Sequence, residues 1–403
     1  MTEGNSRPLG GSDRWPDASL WPDAVIEETY VDPFGLVKFW EQWYLDGFVN
    51  RGQGKVKCLV GRPGAGKTHV LRYLSSVAGK RGFQVARVDV SDIKVAAIDD
   101  LYREVATQIN WDVLLSRILV HVIQNELGYP EFDRDPASFI SWGESIRQLT
   151  PNFLRRDLRE AINKHFQQVD WYSDFAMAVR SWILDHVSDN PLGGSAEVAW
   201  LRGEKLGASH RKSMGTRSNI NRRNARLCLG SLASLAHVAF GQGLIVLVDN
   251  VEVMASSTRV ENRPYYTRGS RDQAYEMFRQ LIDESPLTPY LMTILCGDED
   301  PLSGSQIGFP SYPALWARLE TEIHSDKPNL FADWVSLDAL WEQDAVALDA
   351  LRERWLRISA DWWVDADGNP SGTMQPLGLE WGRPRRMIAE LWTEASVKGG
   401  DAW

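Results

Sequence analysis

The sequence predicts an α/β fold: a parallel-sheet P-loop core with a long helical insertion and a C-terminal helical lid. Three observations carry this expectation. Residues 61–68 read Gly-Arg-Pro-Gly-Ala-Gly-Lys-Thr, a complete G-x-x-x-x-G-K-[ST] loop between an apolar run and a helical stretch. Short aliphatic runs recur along the chain between segments of helical period, the pattern of strands covered on both faces. The second and third of those runs are separated by a helical stretch far longer than one crossover needs.

In chain order, residues 1–24 are rich in Gly, Ser, Pro and Asp and read as a flexible tail. It carries a small repeat, Trp15-Pro16-Asp17-Ala18 and Trp21-Pro22-Asp23-Ala24. Asp32-Pro33 opens a helix expected over Phe34–Val49. The core is expected over residues 25–330. Its strands are Lys55–Val60, Gln84–Val90, Leu244–Val248 and Leu291–Cys296, with a fifth at Trp334–Leu337. The helical insertion, at about residues 96–240, holds helices Ile98–Ile109, Val113–Gln124, Phe153–Phe166, Phe175–Val187 and Ile220–Phe240. Residues 331–403 form the lid, with helices at Asp344–Trp355 and Arg383–Ser396. Trp171, Trp182, Trp355, Trp362 and Trp392 sit at apolar-periodic positions, which points to core packing.

A chain of 403 residues can bury a large core and more than one domain. The formal net charge of −10 gives no global attraction to DNA or anionic membrane, so any nucleic-acid contact needs a local basic patch. Cys58, Cys228 and Cys296 all lie in apolar contexts, as buried thiols of a reducing compartment do. There is no run of apolar residues long enough to cross a membrane, and the N-terminus lacks a signal-peptide pattern. A cytoplasmic protein is expected.

The loop Gly61, Arg62, Pro63, Gly64, Ala65, Gly66, Lys67, Thr68, with His69 beside it, forms a phosphate cradle. Its glycines reach backbone angles that other residues resist, and the N–H groups at the helix start face the anion. Lys67 would reach the β- and γ-phosphates of ATP, and the Thr68 hydroxyl would ligate Mg2+. The strand Leu244–Val248 ends in Asp249, which would hold the same Mg2+ through water. Glu252 could orient the attacking water, or it could be an ordinary solvated loop carboxylate.

Further segments make the chain resemble the AAA+ superfamily, and within it the ATP-binding C/D-type proteins of bacterial BREX phage-defence systems. They are Gly61–Ser75, Leu101–Glu104, Trp200–Glu204, Asn224–Glu252, Gly308–Leu319 and Gly382–Arg385. The resemblance implies an ATPase or ATP switch of an anti-phage complex that works as a homo-oligomer or with defence-complex partner proteins. It implies an arginine finger at Arg318, which could instead be a helix-terminal Arg paired with Glu320 or Glu322. It implies a sensor-2 role for Arg385, with Arg383 and Arg386 as neighbouring alternatives. Two positions depart from the family pattern. Asn250 follows Asp249 where glutamate is usual, and Asn can hydrogen-bond a water but cannot act as a base. Gly297 falls where a polar sensor is expected, leaving Asp298 or Thr293 to substitute. Both departures point to strong ATP binding with weak hydrolysis, or to a clamp that binds ATP without hydrolysing it.

One local basic stretch holds Lys205, Arg211, Lys212, Arg217, Arg222, Arg223 and Arg226 with no acidic residue from Lys205 to Arg226. It could neutralise several DNA phosphates, or it could be a solvated or subunit-facing surface.

Overall fold

The computed structural model describes residues 22–187, 194–320, 328–362, 380 and 382–398. Strands β1 (Lys55–Gly61), β2 (Gln84–Asp89), β3 (Leu244–Asp249), β4 (Leu291–Asp298) and β5 (Trp334–Ser336) form one sheet in the order β2-β3-β4-β1-β5. Every pairing in it is parallel. The register sets Gly61 opposite Asp298 and Asp89 opposite Asp249, so the strands end together at one edge. In an open parallel sheet, that carboxyl edge is where ligands bind.

Successive strand residues point to opposite faces. Val56, Cys58 and Val60, with Leu244, Val246 and Val248, share a core with the helices that join β2 to β3. Leu59, Ile245, Leu247, Met292, Ile294, Cys296 and Val335 face the helix Lys67–Lys80, the N-terminal segment and the helices after β5. Lys57 is the exception in these apolar rows. It is fully buried, but its Nζ donates to the carbonyls of Phe331 and Ala332, each at 2.7 Å, and lies 3.2 Å from Asp333. Burial lowers its pKa to about 8, and the Asp333 carboxylate works against that shift.

Helices Ile98–Thr107, Trp111–Asn125, Phe139–Arg147, Pro151–Gln168, Ser173–Val187, Ser195–Leu201, Ala208–Met214 and Ala225–Phe240 lie between β2 and β3. Three of them, Phe139–Arg147, Ser195–Leu201 and Ala208–Met214, are absent from the sequence expectation. Helices this short depend on packing more than on their own periodicity. The last helix starts at Ala225 rather than Ile220, because Asn221 and Asn224 close a side-chain turn, with Asn221 N–H donating to Asn224 Oδ1 at 2.7 Å.

The single helix expected over Phe34–Val49 is broken. Phe34 and Gly35 take left-handed backbone angles, and Asp32 caps the restart by accepting from the Val37 and Lys38 N–H groups. The rest is a short α-turn followed by a π-helical stretch, Trp40–Asp46. β5, which follows residue 331, belongs to the sheet. Helices Leu337–Gln343, Ala345–Trp362 and Arg383–Lys398 follow it.

Cys58, Cys228 and Cys296 are buried free thiols. Trp182 and Trp355 are buried as expected, and Trp171 packs partly buried against the core. Trp15, Trp21 and the side chains of Trp362 and Trp392 lie outside the described residues. No described helix is long and apolar enough to cross a membrane.

Candidate functional site

The loop between β1 and the helix Lys67–Lys80 is held in shape by backbone conformation and by three tethers. Gly64 and Gly66 have φ of +79° and +94°, a region that costs a side chain dearly. Arg62 N–H donates to Asp338 Oδ2 at 2.6 Å, and Trp341 Nε1–H donates to the Ala65 carbonyl at 2.9 Å. Gly382 N–H donates to the Pro63 carbonyl at 3.0 Å, which docks the start of the last helix on the loop. A Cβ at Gly382 would fall 2.5 Å from Ala65 N, so the approach requires glycine there. The helix beginning at Lys67 leaves its first N–H groups without partners inside the helix, as a phosphate cradle requires.

Asp338 and Trp341 were not legible in the sequence, since they lie on a different strand–helix unit far along the chain. Asp338→Ala is expected to leave the Arg62 N–H without its carboxylate and to weaken ATP binding about tenfold in a calorimetric titration, with the fold retained.

Lys67 Nζ donates to the carbonyls of Gly61 and Arg62, each at 2.9 Å, and to Asp298 Oδ1 at 2.7 Å. Burial works to lower the Lys67 pKa, but the Asp298 carboxylate holds it above its ordinary value. Thr68 Oγ1 donates to Asp249 Oδ2 at 2.8 Å. Burial raises the Asp249 pKa, opposed by that bond. A hydroxyl and a carboxylate at this spacing could hold a divalent cation together with phosphate and water.

Asn250 adopts a left-handed conformation, φ +59°, that Asn tolerates better than most residues. Its amide Nδ2 donates to both oxygens of Asp89 at 2.9 Å, so it braces the end of β3 against β2. Asn250 is therefore a structural tie in this chain. Asn250→Asp would keep the conformation but set two carboxylates together. The expected cost is about 2 kcal/mol, read as a lower denaturation midpoint. Asn250→Glu adds backbone strain to the same repulsion and should not raise turnover.

Gly297 also has a reason that the sequence did not show. A Cβ there would fall 2.7 Å from Glu252 Oε2, so the missing side chain makes room for the Glu252 carboxylate. Glu252 Oε2 accepts from Asp298 N–H at 3.1 Å. Burial pushes the Glu252 pKa up to about 7, and the charge of Asp298 adds to the shift. Thr293 is buried in mid-strand, away from this edge, whereas Asp298 reaches it.

These groups line a cavity of about 720 Å3, which runs from Lys67, Thr68, Glu252 and Asp298 to Thr29, Tyr30, Leu351, Trp355 and Ile388. Pro384 and Arg385 close another side, and the Arg385 N–H donates to the Gly64 carbonyl at 3.3 Å. A Cβ on Gly64 would overlap the Arg385 side chain. His69 lines the cavity too, but its Nε2 lies 3.0 Å from Thr29 Oγ1 and 3.2 Å from the Ile26 carbonyl. Burial lowers its pKa to about 4, so it is neutral.

Arg318 lies outside the cavity. It pairs with Asp283 through Nε at 2.7 Å and Nη2 at 3.1 Å, rather than with Glu320, and Glu322 lies outside the described residues. In the basic stretch, Arg222 lies 3.7 Å from Asp99, and Arg226 is paired with Glu284. Lys205, Lys212, Arg217 and Arg223 are exposed, and Arg211 is half-buried.

The other family-like blocks are scaffold. The Tyr102 hydroxyl donates to the Leu201 carbonyl at 2.7 Å, joining Leu101–Glu104 to Trp200–Glu204. Trp200 Nε1–H donates to the Ser218 carbonyl at 3.0 Å. The Tyr312 hydroxyl donates to Glu276, seating Gly308–Leu319 on the helix Arg268–Asp283.

A comparison with curated proteins found no match. A comparison with solved structures found none either. A protein-family model described as "BREX system ATP-binding protein BrxC/D" matches residues 45–354, which takes in the sheet, the phosphate-loop motif, the Asp249 strand and the helices between them. The match covers most of the chain, and the chain therefore belongs to the BREX system ATP-binding protein BrxC/D family.

Proposed function

We propose that this chain is an ATP-binding switch of a bacterial anti-phage defence complex, an AAA+-type ATPase of weak activity acting in the cytoplasm. The observation that carries the reading is the convergence of Lys67, Thr68 and Glu252 on one large cavity, with Asp249 bonded to Thr68 behind them, in a member of an ATP-binding family. The loop N–H groups and Lys67 bind the β- and γ-phosphates, and Lys67 exchanges Asp298 for phosphate as it does so. Thr68 and Asp249 would hold Mg2+, which when bound would neutralise charge on the phosphates. Glu252, with a pKa near neutrality, takes the proton of the attacking water. Arg385 couples the last helix to the loop, so occupancy of the cradle is felt there. Arg318 serves a neighbouring subunit as an arginine finger when it gives up Asp283 for a γ-phosphate.

DNA contact would fall to Lys205, Arg211, Lys212, Arg217 and Arg223, with Arg222 and Arg226 already turned toward acidic neighbours. The second reading is a clamp that binds ATP without hydrolysing it, favoured by the bond between Asn250 and Asp89. Native mass measured with and without Mg2+–ATP tests the switch. Growth of the particle with ATP supports it, and a mass that stays monomeric sinks the arginine finger. Phosphate release separates the two readings, because a clamp gives none. A salt titration of DNA affinity tests the basic stretch.

A further inference from the structure

A second cavity of about 360 Å3 adjoins the large one, and the residues common to both are Glu252, Asp298 and Arg263. Arg263 belongs to none of the residue sets picked out from the sequence. It lies between the short helix Val251–Ala255 and the helix Arg268–Asp283. A turn presents it: Arg263 N–H donates to the Val260 carbonyl at 3.3 Å, Asn262 is left-handed at φ +61°, and Pro264 follows. The side chain is exposed to the cavities, and none of the ion pairs among the described residues involves it.

The companions of Arg263 locate it along the cavity. Asp298 is the partner of Lys67, and Glu252 accepts from the Asp298 N–H. Arg263 therefore stands at the end where Lys67 meets the terminal phosphate, not at the end lined by Tyr30 and Trp355. That end already holds the carboxylates of Asp249, Glu252 and Asp298, and its lysine is neutralised by one of them. A γ-phosphate brings further negative charge there. It needs a cation that is not already committed to a carboxylate, and a planar guanidinium fits phosphate oxygens through two donors.

We infer that Arg263 contacts the γ-phosphate of bound ATP from within the same chain and adds to the discrimination of ATP from ADP. This inference rests on the ATP-binding reading. ADP has no γ-phosphate, so it gains nothing from Arg263.

The test is calorimetric titration of the full chain with ATP and with ADP, each with Mg2+, for wild type, Arg263→Ala and Arg263→Lys. Arg263→Ala should raise the Kd for ATP about 10- to 100-fold and leave that for ADP unchanged, while Arg263→Lys recovers part of the loss. Melting without nucleotide should match wild type, because the side chain is exposed. Equal weakening of ATP and ADP would overturn the inference while leaving the ATP-binding reading intact, and so would no change in either. A wild type that binds neither nucleotide overturns that reading and this inference with it.

Discussion

Lys67→Ala is expected to raise the Kd for ATP about 100-fold or more, because it removes the cation that bonds to the phosphates inside a buried cradle. The same ammonium is held by two loop carbonyls and by Asp298. Binding therefore exchanges a salt bridge for phosphate contacts, and the net affinity is smaller than the gross interaction. Two variants with opposite effects follow. Lys67→Ala should bind ATP poorly. Asp298→Asn should bind it up to about tenfold more tightly, since Lys67 no longer has a carboxylate to leave. Calorimetry on both, with circular dichroism to check the fold, tests the exchange. Retained affinity in Lys67→Ala would remove the P-loop assignment, and weaker binding in Asp298→Asn would show that Asp298 itself helps to hold the nucleotide.

Glu252→Gln is expected to lower steady-state phosphate release by about 100-fold or more, the usual contribution of a positioned general base. The pH profile should carry the same signature. With the Glu252 pKa at about 7, its basic form grows from pH 6 to pH 8, and wild-type release should rise about tenfold over that range. Glu252→Gln should lose that slope. Stability moves the other way. The folded chain holds the Glu252 proton more tightly than the unfolded chain, whose value is near 4.5. Stability from this group is therefore present below pH 4.5 and is lost as pH rises through 7. Glu252→Gln, which carries no charge to bury, should melt higher than wild type above pH 7. A flat rate profile in wild type would exclude Glu252 as the base, and an unchanged melting temperature above pH 7 would show that its burial costs nothing.

The strands, the phosphate loop and the Asp249 strand were legible because each depends on local pattern. Aliphatic runs bounded by turns mark buried parallel strands, and a loop that must wrap an anion needs glycines at set places. The long helices were legible from their period, but the helix expected over Phe34–Val49 was not broken in the sequence reading. Its interruption rests on Asp32 capping residues five and six positions on, and on Phe34 N–H reaching Asp344 from the other end of the chain. Arg318 was expected to be an arginine finger only from the resemblance, and its partner is Asp283, on a helix brought near only by folding.

The sequence by itself determined that this chain carries a glycine-rich phosphate-loop motif, an acidic residue at the end of another strand and a parallel sheet to align them. Those features are sets of residues close together in the chain. The tertiary structure alone decided the meaning of the two departures. Asn250 braces β3 against Asp89, and Gly297 clears space for Glu252, because parallel pairing puts β2, β3 and β4 side by side with their carboxyl ends level. It also decided the tethers of the loop, Asp338 and Trp341, which come from the far side of β5. Charge and hydrogen bonding act across a few ångströms of space, and only the fold brings residues so far apart along the chain within that reach.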